Sequence, residues 1–246
     1  MADYDNRVLR SQTAAAGAID AGLRAHMLRV YNYMLVGLAL TGATAWLTAE
    51  TSFGELFYRI NPVNHAMGLT LLGMIALFAP LGLVLFMSFR IDRMSVGAAQ
   101  ATFWAYAGLV GIGLAPILLV YTGASVAQVF FITAATFGAM SLWGYTTKAD
   151  LSGFGSFLFM GLIGIVIASL VNLFLHSAMM TFVISIIGVL VFTGLTAYDT
   201  QSIKESYVAS DDGTVAGRKA IFGALRLYLD FINLFVMLMQ LLGNRR

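Results

Sequence analysis

Residues 154–199 read FGSFLFMGLIGIVIASLVNLFLHSAMMTFVISIIGVLVFTGLTAYD. Before the closing Asp199, the only side chain here that titrates near neutral pH is His176. Two apolar runs of about 20 residues flank His176-Ser177-Ala178, and each is long enough to cross about 30 Å of hydrocarbon as an α-helix. A strand of a membrane β-barrel would instead show about ten residues of alternating polarity. The stretch therefore reads as two transmembrane helices joined by a short turn.

The same pattern extends outward in both directions. Seven apolar spans are predicted, over 28–48, 66–89, 96–120, 124–145, 154–175, 179–199 and 221–242. Composition agrees: of 246 residues, 59% are hydrophobic and 11% charged, against about 25% charged in a soluble domain. A soluble fold of this size cannot hide so much apolar surface. The fold class is thus all-α, a polytopic seven-transmembrane-helix bundle, with a polar arm over 1–27 preceding a transmembrane domain over 28–246. The arm lacks the early apolar core of a cleavable signal peptide. Pro80 and Pro116 fall inside spans two and three, where each removes a backbone donor and is expected to kink its helix.

Several functions are excluded at this level. With no cysteine, disulfides, thiolate metal sites and cysteine nucleophiles are ruled out. His26, His65 and His176 are too scattered to suggest a resident metal, and no cofactor is expected. A net charge of +2 with no basic run longer than two residues gives no nucleic-acid footprint. Lys and Arg counts set the orientation. With the N-terminus inside, ten basic residues fall on the inner segments and three on the outer ones, Arg59, Arg245 and Arg246. This predicts a cytoplasmic N-terminus and an outer C-terminus. Span seven carries two charges; if it failed to cross, both ends would lie inside.

Those charges are the informative residues, because an Asp near the centre of a membrane helix costs about 2.5–3.5 kcal/mol. Span six ends Thr196-Ala197-Tyr198-Asp199-Thr200-Gln201, and span seven contains Arg226-Leu227-Tyr228-Leu229-Asp230-Phe231-Ile232-Asn233. Counting inward from Lys204 and from Ile221 places Asp199 roughly 7 Å and Asp230 roughly 13 Å deep at 1.5 Å per residue. Both fall in the cytoplasmic half of consecutive, antiparallel helices, so the two carboxyls can meet. Buried carboxyls in contact do not easily both ionise, and the pair titrates as a unit. Sharing a proton, they latch the two helices. Ionised, they repel or recruit a cation, and hard carboxylate oxygens suit Ca²⁺ held transiently. This predicts a cation pathway governed by pH, since ionisable groups within a membrane are functional by default.

A plainer arrangement is also open. Asp199 can sit at the wet helix end, and Asp230 can pair with Arg226, four residues earlier on the same face. Arg226 can also snorkel to the surface or pair with Asp199. Arg90, closing span two, is a second candidate counter-ion or an ordinary surface anchor. Asn233 and Gln201 are candidate pathway-lining residues; both can equally make helix–helix or helix-end hydrogen bonds.

The Ala197-Tyr198-Asp199-Thr200-Gln201 and Leu227-Tyr228-Leu229-Asp230-Phe231-Ile232-Asn233 segments resemble the Bax inhibitor-1 family in its bacterial branch. The resemblance extends from about residue 20 onward. It implies a seven-helix fold, a pH-sensitive calcium leak, and a diaspartyl sensor at Asp199 and Asp230. It also implies an arginine at the end of span two that engages the pair, for which Arg90 is the nearest match by position. Arg226 departs from the pattern, since a small polar residue is usual there. Bacterial inner-membrane residence follows from the same resemblance.

Two other classes compete. Intramembrane aspartyl proteases also place paired carboxyls on neighbouring spans, but they precede the second Asp with Gly-x-Gly, where Leu227-Tyr228-Leu229 stands here. A non-conducting regulator that binds other membrane proteins would use the aspartates only as core. The reading adopted is a monomeric or weakly associated channel, not an enzyme, with the lipid bilayer, protons and Ca²⁺ as its partners. The sign of the pH response stays open.

Overall fold

The computed structural model describes residues 2–60 and 67–246, with side chains over 20–59 and 68–246. The helices are α1 (Ala2–Glu50), α2 (Leu71–Arg90), α3 (Val96–Val120), α4 (Gly123–Thr146), α5 (Ser152–Leu175), α6 (Ala178–Glu205) and α7 (Gly213–Leu242). All seven are long and apolar enough to cross a membrane. Between α1 and α2 lie a 3₁₀ turn, Ser52–Leu56, and an antiparallel hairpin of β1 (Tyr58–Ile60) and β2 (Met67–Leu69).

Helix starts follow capping chemistry. Thr70, Ser95, Thr122, Ser177 and Asp212 precede α2, α3, α4, α6 and α7, and each accepts a hydrogen bond from a backbone N–H three residues on. Such caps contribute about 1 kcal/mol each. Thr70 explains why α2 begins five residues later than span two was predicted to. The apolar triplet Met67-Gly68-Leu69 pairs with Tyr58–Ile60 as a strand instead, and hydrophobicity alone does not separate a short strand from the start of a helix. Span six is longer than predicted, because α6 continues through Gln201 and Lys204 to Glu205. Span seven likewise starts early, at Gly213. Pro80 and Pro116 lie inside α2 and α3 as expected.

Helix α7 is the axis of the bundle. Of its most apolar window 56% is buried, against 11% for α5 and 17% for α2. It packs against α6, α1, α4 and α3, while α2 packs chiefly on α3, and α5 on α6. Outward faces are apolar: Phe78, Phe131 and Phe174 are 66%, 71% and 82% exposed, a surface that hydrocarbon solvates and water does not.

Tyr228 marks the centre of the packing. Its buried ring meets Phe103 and Tyr106 edge-on at centroid distances of 5.7 and 5.6 Å. Its hydroxyl lies 2.6 Å from Thr41 Oγ1, which is itself 2.9 Å from the carbonyls of Gly37 and Ala107. Carbonyls only accept, so the threonine proton goes to one of them and Tyr228 donates to Thr41. Replacing Tyr228 with Phe strands that threonine lone pair in the core. The expected cost is about 1 kcal/mol, read as a lower melting temperature of the purified protein in detergent; an unchanged melting temperature would show that the bond contributes nothing.

The two ends of the bundle differ in charge. His26 of α1 stacks near Tyr207 at 5.7 Å, Arg218 donates to the Asp92 and Met94 carbonyls, and Lys204 donates to the Tyr145 carbonyl at 2.8 Å. These bonds gather the α2–α3, α4–α5 and α6–α7 connections beside the start of the first span. Arg24, Arg29, Arg90, Arg93, Lys148, Lys204, Arg218 and Lys219 all belong to this basic end. At the other end the C-terminus is stitched to the α3–α4 turn, where Thr122 N–H donates to the Asn244 carbonyl at 3.0 Å and Arg246 N–H to the Val120 carbonyl at 2.9 Å.

Helices α5 and α6 are clasped at both ends. At the far end, Asn172 donates to Thr181 Oγ1 at 2.8 Å and accepts from Ser177 N–H at 3.0 Å. His176 adopts a left-handed conformation between them, with φ 50°. At the basic end, Gln201 accepts from Leu151 N–H at 2.9 Å and donates to the Ala149 carbonyl at 2.8 Å.

Candidate functional site

The site is set by the register of α6 against α7. Gly223 faces Ile203, Gly188 faces Met237, and Ser185 bonds Gln240, so the numbers of facing residues sum to 425 or 426. By this rule Asp199 stands opposite Arg226–Leu227, and Asp230 lies about one helical turn further from the basic end. Both aspartates are buried, at 8% and 4% exposure. The register and their burial set the two carboxyls on neighbouring turns of the α6–α7 interface.

Arg226 resolves between its alternatives through the same register. Its guanidinium forms an ion pair with Asp199 across the helix interface rather than with Asp230 along its own helix. It also donates to Ser202 Oγ at 3.1 Å and lies 6.0 Å from the centre of the Tyr198 ring. Asp199 and Ser202 are three residues apart and present one face of α6, so a single forked side chain engages both. Asp230 is left differently satisfied. Its buried Oδ2 has no hydrogen-bond partner among the described residues, and an unpaired buried carboxyl oxygen is costly unless a proton or cation supplies the missing contact.

Asp199, Arg226, Asp230 and Asn233 line one cavity of about 1040 Å³, walled mainly by α5, α6 and α7 with Leu81 contributed by α2. Along α5 it reaches from Gly155 and Ser156 to Leu173, about 26 Å at 1.5 Å per residue. Its polar groups cluster toward the basic end. Beyond them Ile165, Val166, Leu170, Leu173, Phe192 and Met237, interrupted only by Ser169 among the described residues, make a mostly hydrocarbon-lined section that disfavours water and ions.

The other sequence candidates are placed as follows. Asn233 lines the cavity, with its amide nitrogen bonded to the Leu229 carbonyl at 2.8 Å. Gln201 is buried in the α5–α6 clasp and lines no part of this cavity. Arg90 is exposed at the end of α2 and makes no ion pair among the described residues. The structure thus brings Asp199, Asp230, Arg226 and Asn233 together, and leaves Gln201 and Arg90 apart from them. Ser202 and Ser156 were not anticipated; the spacing of Ser202 from Asp199 is the one signal that points to it.

Among the described residues no group of three His, Asp or Glu side chains converges. The two aspartates carry four carboxylate oxygens, one of them already held by Arg226, against the six to eight ligands that Ca²⁺ prefers. A cation here therefore keeps water or borrows neighbours such as Asn233.

Comparison with known proteins places the chain. The family model described as inhibitor of apoptosis-promoting Bax1 matches residues 23–246. The inner membrane protein YbhL of Escherichia coli K12 is 48% identical over 228 residues, covering 92% of this chain and 94% of its own. RP147 of Rickettsia prowazekii is 48% identical over 246 residues, the full length of both chains. A Borreliella burgdorferi protein is 42% identical over 221 residues, 89% of this chain and 92% of its own. Because the match runs from the first span through both aspartate-bearing helices, the chain belongs to the Bax inhibitor-1 family.

Proposed function

We propose that this membrane protein is a pH-sensitive calcium leak of the bacterial inner membrane, oriented with the basic end toward the cytoplasm. In this reading Asp199 and Asp230 form the proton-responsive element and Arg226 its internal counter-ion. The single observation that carries it is the buried, unpartnered Oδ2 of Asp230, a residue that lines the cavity together with Asp199. A fully satisfied structural pair would leave no such oxygen. The apolar section beyond Asn233 supplies a barrier in the closed form. The name of YbhL supports inner-membrane residence, and the excess of Lys and Arg at one end supports the orientation. Proteolysis is disfavoured, because Arg226 already occupies the Asp199 carboxylate that acid–base work on a peptide would need free.

The test is Ca²⁺ flux into proteoliposomes between about pH 5 and pH 8 for the wild type, Asp199→Asn and Asp230→Asn. The wild-type flux is expected to vary with pH, and each substitution to flatten that profile, since neither amide titrates in this range. Three superimposable profiles would remove the aspartates from the sensor. No flux from any of them, in vesicles shown to hold folded protein, would remove the channel.

A further inference from the structure

A second crevice, of about 730 Å³, lies between α1 and α4 with Phe231 of α7 at its floor. It runs from Arg24 to Leu38 along α1 and from Tyr145 to Phe130 along α4. That length is about 21 Å, enough to pass from the headgroup level through one leaflet, whose hydrocarbon is about 15 Å deep. Its walls are apolar, and Leu28 and Leu35 on its rim are 53% and 56% exposed. Gly138 lines it and has no heavy atom within 4 Å of where a Cβ would lie, so the space beside α4 is open there.

Charge appears at one end only. Arg24 stands exposed at the mouth. Lys204 sits beside the mouth residue Tyr145, 2.8 Å from its carbonyl and 5.5 Å from its ring centre. Two cations above a hydrocarbon channel match an amphiphile with an anionic head and an apolar tail. A transmembrane helix of a partner protein would be a poorer fit. A continuous apolar helix face brings no anionic group to the two cations at the mouth, whereas a lipid phosphate does.

We propose that the α1–α4 crevice is a binding site for an anionic phospholipid of the surrounding leaflet. One acyl chain lies along α1 and α4, and the phosphate sits against Arg24 with Lys204 as the second cation. The assignment is independent of ion conduction, because Asp199, Arg226 and Asp230 do not line this crevice.

Native mass spectrometry of the full chain in detergent tests it, with phosphatidylglycerol or phosphatidylcholine of matched chains added. The wild type is expected to retain phosphatidylglycerol about 25-fold better than phosphatidylcholine, roughly fivefold for each of the two cations. Arg24→Gln should keep lipid but lower that ratio about fivefold, leaving the preference that Lys204 supports. Gly138→Leu places a side chain in the open space, and should lower retention of both lipids about tenfold while leaving the melting temperature unchanged. Wild-type retention by Gly138→Leu, or an unaltered lipid ratio in Arg24→Gln, would overturn the site. Should Gly138→Leu fail to fold, the Arg24→Gln ratio decides alone.

Discussion

Arg226→Gln is expected to raise Ca²⁺ flux through reconstituted protein at least about tenfold near neutral pH. The argument is electrostatic. The guanidinium cancels the Asp199 charge and stands in the cavity through which the proposed pathway runs. A unit positive charge about 10 Å from a divalent cation repels it by roughly 3 kcal/mol at an effective dielectric near 20. Screening and tightly held water remove part of that, and about 1.4 kcal/mol remaining is already a factor of ten. Without Arg226 the Asp199 carboxylate needs another positive partner, and Ca²⁺ becomes one. Arg226→Lys keeps the charge but not the fork that reaches Asp199 and Ser202 together, so its flux should fall between those of the wild type and Gln. Flux from Arg226→Gln equal to wild type, in vesicles of equal protein content, would show that the arginine does not govern the path.

Gly144→Leu should abolish the folded protein or lower its stability by more than about 3 kcal/mol, the upper range for overpacked cores. Gly144 of α4 lies directly on the backbone of α6. A Cβ there would meet the Ala197 carbonyl oxygen, with the Ala197 carbonyl carbon and Cα both at 2.8 Å. A backbone cannot rotate aside as a side chain can, so the two helices must separate. Separation would break the 2.9 Å bond between Ser141 and Thr200 and shift Asp199, two residues beyond the contact. Gly138→Leu, six residues away on the same helix but facing open space, is the matched control. Size-exclusion profiles and thermal melts in detergent report both variants. A Gly144→Leu protein that melts with the wild type would mean that α4 and α6 are not held this closely.

The spans were legible in the sequence because membrane hydrocarbon imposes one length on every helix, and periodicity was not needed to find them. The ends were less legible. Met67, Gly68 and Leu69 are as apolar as a span, yet form a strand, because a strand's partner lies outside its own segment. Lys204 and Gln201 look like the end of a helix in water, yet α6 continues through both, because Tyr145, Ala149 and Leu151 satisfy them. The aspartates were legible as a pair because both stand out against hydrocarbon. The partner of Arg226 was not. Spacing along α7 favours Asp230, four residues on, whereas the choice of Asp199 depends on the register between two helices, set by contacts such as Gly223 on Ile203. Gln201 illustrates the same limit: its polarity was visible, but its bonds to the α4–α5 connection belong to tertiary structure.

The paired clasps at Asn172 and Gln201 make α5 and α6 a single mechanical piece. Neither helix can lean without the other, so Asp199 rides on a braced two-rod frame rather than on one bending rod. Helix α2 has no such bracing to that frame; it packs chiefly on α3 and brings only Leu81 to the cavity. If the proposed pathway widens, α2 is the wall expected to part, with the frame and its buried carboxylates staying in place.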